Sequence, residues 1–217
     1  MMILRAPGVY RPQADTALLL KALAGAAPPP GGRVLDAFAG TGVLAVAALG
    51  SGAASAVAVD VSRRALVSTW LNARLRRHRI ELVHGDATEL AAADGFDLVL
   101  ANPPYVPAPA VARGGAARAW DAGPAGRAVL DPLCSALPQL LRRNGIALIV
   151  HSALCEVDRS LRLLREHNLK AAVVARSTTE FGPVMRARAA WLRDRGLIAN
   201  GQHEEGLVVI RADRTES

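Results

Sequence analysis

Residues 33–44 read RVLDAFAGTGVL, an apolar run that ends in an acidic residue and is followed by two closely spaced glycines. Short runs of valine and leucine bounded by turn formers are typical of buried strands. Glycine allows a tight turn and leaves the amide groups of a following helix free to approach a ligand. The stretch therefore predicts a strand over Arg33–Ala37, a ligand-binding turn, and a helix from Gly42 to Leu49.

The same strand and helix patterns alternate outward from this stretch. Apolar runs predict six more strands, at Ser55–Asp60, Glu81–His84, Phe96–Ala101, Gly145–His151, Ala171–Arg176 and Gly206–Arg211. Helical spacing predicts further helices at Asp15–Ala24, Arg63–Arg76 and Ala125–Leu141, with Leu66 and Trp70 of the second facing the core. Such alternation indicates an α/β fold with a seven-stranded, mainly parallel sheet and helices on both faces. The last two strands lack an obvious crossover helix, so an antiparallel edge strand is expected.

The bulk composition fits one ordinary domain that comprises all 217 residues. A stiff turn at Pro28–Gly31 precedes the first strand, and residues 180–202 form an insertion before the last one. No apolar run approaches the roughly 20 residues that span a bilayer, and Arg5, Pro7 and Pro12 interrupt the N-terminus. We expect a cytoplasmic protein without membrane association. Cys134 and Cys155 lack metal-ligand spacing, so they are interpreted as core residues and no metal is predicted.

The charge of the chain has two explanations. The formal net charge is +7, which suits RNA or another anionic partner. However, Lys21 and Lys170 are the only lysines, and the abundance of arginine, alanine, glycine and proline is typical of a GC-rich genome. Aromatic residues make up 4% of the chain, too few for an obvious base-stacking surface.

The glycine turn fits two kinds of cofactor. Gly40 and Gly42 belong to a stretch that matches the dinucleotide fingerprint G-x-G-x-x-G/A, which is weak by itself. Asp36 precedes the glycines, where a carboxylate would crowd a pyrophosphate but can bind a ligand with an ammonium group. Asp86 follows the third strand and offers a further acidic contact. These two carboxylates favour S-adenosylmethionine over a dinucleotide.

The other cofactor contacts are predicted at the ends of the second and third strands. A carboxylate at Asp60 can accept hydrogen bonds from both ribose hydroxyls. Val61 and Ala87 are placed to flank the adenine. The alternative is structural, because Asp60 could cap the helix that begins near Arg63 and Asp86 could cap a turn.

The most informative tetrapeptide is Asn102-Pro103-Pro104-Tyr105, directly after the fourth strand. The two prolines hold the loop extended and cannot donate hydrogen bonds, which leaves the Pro103 carbonyl available. This carbonyl and the Asn102 side-chain oxygen can together accept both hydrogens of an NH₂ group. The aromatic ring of Tyr105 can pack against the face of a flat acceptor. The alternative is a turn with Tyr105 in the core.

Together, DAFAGTG, AVD, GDA and NPPYVP resemble the class I S-adenosylmethionine-dependent methyltransferases with an NPPY motif, a Rossmann-like fold. More closely, the chain resembles the HemK/PrmC-type glutamine methyltransferases that modify peptide chain release factors, in their compact branch without an N-terminal helical domain. VYRPQADTALL and WDAGPAGRAVLDPL are similar to segments of that family. The resemblance implies that residues 1–30 cover the cofactor. It places cofactor contacts at Thr16, Asp36, Asp60, Val61, Asp86, Ala87 and Asn102, and acceptor contacts at Asn102, Pro103, Pro104, Tyr105 and Val106. Phe38 departs from the family pattern, because many methyltransferases have glycine there.

Several functions and partners stay open at this point. The favoured acceptor is a glutamine amide in the GGQ segment of a release factor. The alternatives are an exocyclic amine of adenine or guanine in a nucleic acid, a small molecule, and a binding module without activity. The long segment from Pro107 to Gly126 is interpreted as a loop that shapes the acceptor site or as a solvated loop. Compact relatives in eukaryotes need a small zinc-binding activator subunit. The sequence leaves the need for one open, but an apolar edge strand at Ala56–Val59 or Glu81–Val83 could dock it.

Overall fold

The computed structural model describes residues 3–26, 30–90, 94–112 and 114–215. Its centre is a seven-stranded sheet with the strand order β3-β2-β1-β4-β5-β7-β6. The strands are β1 (Arg33–Asp36), β2 (Ser55–Asp60), β3 (Glu81–His84), β4 (Phe96–Ala101), β5 (Leu141–Ser152), β6 (Lys170–Glu180) and β7 (Glu204–Asp213). The five strands β1 to β5 pair in parallel, whereas β7 is antiparallel to both β5 and β6. The predicted fold and the antiparallel pairing of the last two strands are confirmed.

Seven helices accompany the sheet in the described part of the chain. They are α1 (Ala14–Ala26), α2 (Val43–Gly50), α3 (Arg63–Arg74), α4 (Leu130–Leu140), α5 (Val157–Glu166), α6 (Pro183–Ala187) and α7 (Ala189–Asp194). Among the helices of the described residues, none is long and apolar enough to cross a bilayer.

The strand order reverses beside β1. From β1 the chain continues outward through β2 and β3, and it then returns to place β4 on the other side of β1. In a parallel sheet, such a reversal opens a crevice at the carboxyl ends of the two strands. The glycine turn after β1 and the Asn-Pro-Pro-Tyr segment after β4 therefore lie on adjacent strands at the same edge.

Three predictions about local structure are wrong, and one helix was missed. Trp70 was expected in the core, but 52% of its surface is exposed, because α3 buries the face that contains Leu66 and Ala73 instead. Helix α4 begins at Leu130 rather than Ala125. Helix α5 was not predicted at all. Strand β2 is not an edge, because it pairs with both β1 and β3, so only β3 of the two proposed docking strands has an open side within the described sheet.

The core consists of two groups of buried side chains. The larger surrounds the sheet and includes Cys134 and Cys155, as predicted. The smaller belongs to the segment 180–202, where Phe181, Met185, Leu192 and Ile198 pack together. The predicted insertion therefore has its own small core. Pro28 and Pro29 of the predicted stiff turn, and Arg113 of the long loop, lie outside the described residues.

Candidate active site

A cavity of about 590 Å³ opens at the crevice between β1 and β4. This volume lies within the usual range for small-molecule sites, about 300–1,000 Å³. Nine of the predicted site residues line it: Thr16, Gly40, Asp60, Val61, Asn102, Pro103, Pro104, Tyr105 and Val106. The cavity is not lined by Asp36, Gly42, Asp86 or Ala87. The N-terminal residues Pro7 to Tyr10 also border the cavity.

Asp60 braces the glycine turn. Its Oδ2 atom accepts a hydrogen bond from the Gly40 backbone at 2.9 Å, and its Oδ1 atom accepts one from the Ser62 backbone at 2.8 Å. Burial raises the pKa of the Asp60 carboxyl, and the two amide donors oppose that shift. Ser62, not Asp60, caps α3, since its side chain accepts from the Ala65 amide. Asp60 thus combines a structural contact with a position on the cavity wall.

Gly42 is required by close packing. It has a left-handed φ of 73°, and a Cβ atom there would approach the Thr69 side chain to 2.5 Å. A larger residue would push α3 away from the turn. Gly42 therefore allows α3 to pack closely against the start of α2, and it does not itself line the cavity.

Asp36 lies behind the turn and is fully buried. Its Oδ2 atom accepts a hydrogen bond from the Ala45 amide at 3.1 Å, while Oδ1 has no partner among the described residues. Burial, with a smaller contribution from the charge of Asp60, raises the pKa of this carboxyl to about 7. A buried polar atom without a partner calls for an explanation, and the sequence predicts that Asp36 binds the ammonium group of the cofactor.

Asp86 and Ala87 follow β3, away from the cavity. Asp86 is exposed, and its carboxylate accepts hydrogen bonds from the backbone and hydroxyl of Thr88 at 2.9 and 2.8 Å. It caps the short 3-10 turn Ala87–Glu89, which is the structural role considered for it from the sequence. Ala87 is buried and packs in the main core.

The side-chain orientation of Asn102 is fixed by two acceptors. Its Nδ2 donates to the Asp15 carboxylate at 3.1 Å and to the Thr16 hydroxyl oxygen at 3.2 Å. No described residue donates a hydrogen bond to Asn102 Oδ1. The oxygen is thus left available as an acceptor, and Asn102 and Pro103 both line the cavity. The sequence predicts that this oxygen and the Pro103 carbonyl accept the two hydrogens of an NH₂ group.

Tyr105 combines the two roles considered from the sequence. Its ring is 8% exposed and packs in the main core, yet it also borders the cavity. Its hydroxyl donates to Asp15 at 3.1 Å. Burial, then the charge of Asp15, raises the Tyr105 pKa well above its usual value, so the phenol stays protonated.

The loop from Pro107 to Gly126 folds back onto this motif. Val106 donates its backbone N–H to Trp120 and accepts from Ala122, at 2.8 and 3.0 Å. Six residues of the loop line the cavity: Gly114, Gly115, Ala116, Arg118, Ala119 and Trp120. The interpretation that the loop shapes the site agrees with this placement.

The sequence analysis missed several residues that support the NPPY motif in space but lie far from it in the chain. Asp15 and Tyr10 border the cavity and join the Asn102 and Tyr105 network, because the Tyr10 hydroxyl donates to Asp15 at 2.8 Å. Arg188, in the insertion, forms an ion pair with Asp121 at 2.6 Å and donates to the Pro107 carbonyl. Only the segment VYRPQADTALL, singled out as a resemblance, gave a sequence signal for the first pair.

Comparison with known proteins agrees with this geometry. The family described as "Methyltransferase small domain" matches residues 1–118, more than half of the chain. The chain belongs to this methyltransferase family. One relative comes from Methanocaldococcus jannaschii and is named as a protein N5-glutamine methyltransferase. It is 31% identical to the present chain, over 82% of this chain and 90% of its own length. A release factor glutamine methyltransferase of Bordetella pertussis is 41% identical over 46% of this chain and 38% of its own.

A solved structure shares the fold at lower identity. The Mtq2-Trm112 complex of E. cuniculi, named for methylation of the termination factor eRF1, gives a TM-score of 0.65 with 22% identity. The match covers 96% of the present chain and 99% of that one. The methyltransferase is an enzyme that uses S-adenosylmethionine as its cofactor.

The ionisation of Asp36 predicts a pH dependence for cofactor binding. The cofactor carries an ammonium group, which would bind the ionised carboxylate but not the neutral acid. Because the pKa of Asp36 is about 7, affinity should rise as pH increases through that value. For a carboxyl of this pKa, calorimetry should show a gain of about tenfold between about pH 6 and about pH 8. Asp36→Asn should bind more weakly and show no such gain; an unchanged pH profile in this variant would contradict the assignment.

Proposed function

We propose that the methyltransferase methylates the side-chain amide nitrogen of a glutamine in a peptide chain release factor. The observation that supports this most directly is the orientation of Asn102. Its NH₂ group is engaged by Asp15 and Thr16, which leaves its oxygen free to accept, and both Asn102 and Pro103 line the cavity. The names of the relatives, which include protein glutamine and release factor methyltransferases, support the same acceptor.

The nitrogen of a glutamine amide is a poor nucleophile because its lone pair is delocalised into the carbonyl group. Bound cofactor supplies an electrophilic methyl group on a sulfonium centre. Asn102 and Pro103 hold both N–H groups of the acceptor and aim the nitrogen at that methyl group, which is catalysis by positioning. The same two oxygens stabilise positive charge as it develops on nitrogen. A new N–CH₃ bond replaces the S–CH₃ bond, and the amide proton leaves to water.

Asp60, Thr16 and Val61 are proposed to bind the cofactor, since all three line the cavity. Asp36 is proposed to act from behind the glycine turn through its unpartnered oxygen. Asp86 and Ala87, although expected from the family, lie off the cavity and would need the β3–β4 connection to move before they could touch a ligand. We expect the enzyme to work in the cytoplasm, where release factors act.

The experiment is a methylation assay with labelled cofactor and a purified release factor. Mass spectrometry should locate one added methyl group on the glutamine of the GGQ segment. A release factor with Gln→Ala at that position should stay unlabelled. With cell extract as the acceptor, the label should be lost to protease and resist nuclease.

Label that is lost only to nuclease would replace the proposal with nucleic acid amine methylation. That outcome has some support, since Arg63, Arg64 and Arg118 all line the cavity. Label in a small molecule would indicate the third class of acceptor.

We further propose that a small activator subunit docks on the side of the sheet formed by β3 and α3. Strand β3 is at the sheet edge. Val67 and Trp70 of α3 and Leu75, which follows the helix, are exposed to extents of 53%, 52% and 59%. Neighbouring exposed apolar side chains often mark a protein interface. The E. cuniculi relative was solved as a complex with a second protein.

This proposal predicts that the purified chain is inactive alone and becomes active when coexpressed with a Trm112-type protein. Val67→Asp should abolish that rescue while leaving the folded state intact, as judged by circular dichroism. Full activity of the chain by itself would contradict the need for a subunit.

A further inference from the structure

Asp15 connects three side chains of the candidate active site. It lies in the first turn of α1 and is only 3% exposed. Its Oδ2 atom accepts hydrogen bonds from the Tyr10 hydroxyl at 2.8 Å, from Asn102 Nδ2 at 3.1 Å and from the Tyr105 hydroxyl at 3.1 Å. Asn102 and Tyr105 are 87 and 90 residues away in the chain, so these contacts are formed only by the fold.

The chemistry of a carboxylate decides how its partners point. An ionised carboxylate accepts hydrogen bonds and has none to donate. Asn102 must therefore turn its NH₂ group toward Asp15, and its oxygen must point the other way. The Thr16 hydroxyl alone would not fix this choice, because a hydroxyl can donate or accept.

The charge of Asp15 adds to its geometry. Hydrogen bonds to an ionised group are about twice as strong as those between neutral groups. Chains of such bonds also polarise one another, which makes the Asn102 oxygen a better acceptor. A second carboxyl, Glu205, is also buried nearby, and burial, with a smaller contribution from the charge of Asp15, raises its pKa.

We propose that Asp15 is a positioning residue that sets the orientation of the Asn102 amide and so presents Asn102 Oδ1 to the acceptor NH₂ group. The inference rests on the proposed function, because it assigns a task to the same pair of acceptors. The competing explanation is structural: an acidic residue in the first turn stabilises a helix through its dipole. If that were its only role, replacing Asp15 would lower the free energy of unfolding, and the effect would not depend on Asn102.

The kinetic test is a double-mutant cycle between Asp15→Asn and Asn102→Ala. In the wild-type background, Asp15→Asn should lower kcat by roughly tenfold or more, because misplacing a reacting group is costly, while the Kd for cofactor changes little. In the Asn102→Ala background, single-turnover assays should show nearly no further loss. An equal loss in both backgrounds would overturn the proposal. Asp158→Asn, which removes an exposed charge from the first turn of α5, is the matched control and should leave kcat unchanged.

A second measurement needs no acceptor. In ¹⁵N-labelled protein, the side-chain NH₂ signals of Asn102 can be identified by their loss in Asn102→Ala. Asp15→Asn should shift these signals, whereas Asp158→Asn should not. Unmoved Asn102 signals would overturn the proposed orientation. Failure of the wild-type enzyme, coexpressed with a Trm112-type protein, to methylate a release factor would overturn the proposed function instead, so the two failures are distinguishable.

Discussion

Replacing Asn102 with alanine is expected to lower kcat by about 10²-fold or more, the usual cost of removing one preorganised polar group from an active site. The variant loses the only side-chain oxygen of the acceptor pair and keeps the Pro103 carbonyl. The glycine turn and its brace at Asp60 are untouched, so cofactor affinity should fall far less than the rate. Steady-state kinetics with a release factor, together with calorimetry for the cofactor, separate the two effects.

A matched control for this variant is Gln202→Ala, which removes an amide from a turn that does not line the cavity. It should methylate at the wild-type rate. Near wild-type activity in Asn102→Ala would show that the NPPY motif has a structural role only, and the proposed clamp would have to be abandoned.

Gly126→Ala should have the second large effect, on both stability and activity. Gly126 has a left-handed φ of 69°, and a Cβ atom there would lie 2.4 Å from the Tyr105 carbonyl oxygen and 2.7 Å from Cys155 Sγ. Overpacking and a left-handed backbone each cost on the order of 1–3 kcal/mol, so the free energy of unfolding should fall by about 2–6 kcal/mol. The displaced Tyr105 backbone should also lower kcat.

Gly196→Ala separates the steric part of this effect from the backbone part. Gly196 has a similar φ of 68°, but a Cβ atom there would meet nothing within 4 Å. Urea denaturation should show a clearly smaller loss for this variant, with kcat unchanged. Equal losses in both variants would mean that the loop after the NPPY motif does not press against Tyr105.

Local sequence patterns sufficed to predict the sheet and the place of the site. Strands β1 and β4 are short apolar runs that end in turn formers, and parallel strands that flank a reversal must open a crevice at their carboxyl ends. Asp60 and Asn102 were therefore predictable as neighbours of one cavity. Both line it in the structure.

The failures of the sequence analysis have identifiable physical causes. Helical spacing places Trp70 on an apolar face, but spacing does not say which face of α3 the sheet covers, and Trp70 lies on the exposed one. Helix α5, with the sequence VDRSLRLLRE, is so rich in charge that its buried positions, Ser160 and Leu164, give little apolar signal. Asp36 ends β1 and Asp86 follows β3, yet Asp36 turns inward behind the glycine loop and Asp86 caps its own turn.

Asp15 could not be assigned a role from its neighbours in the sequence. It precedes Thr16 at the start of a helix, where an acidic residue needs no functional explanation. Its contacts with Asn102 and Tyr105 form because the fold places the start of α1 beside the segment that follows β4. Such long-range polar contacts are set by the tertiary structure and leave no local pattern.

The central claim is that one cavity brings the sulfonium cofactor together with an amide NH₂ group held by Asn102 and Pro103. A crystal structure with S-adenosylhomocysteine and a GGQ-containing peptide tests it most directly. We predict the glutamine nitrogen within about 3 Å of both Asn102 Oδ1 and the Pro103 carbonyl oxygen, the usual length of a hydrogen bond. A structure in which Asn102 points away from the peptide, or in which the cofactor binds outside this cavity, would contradict the account.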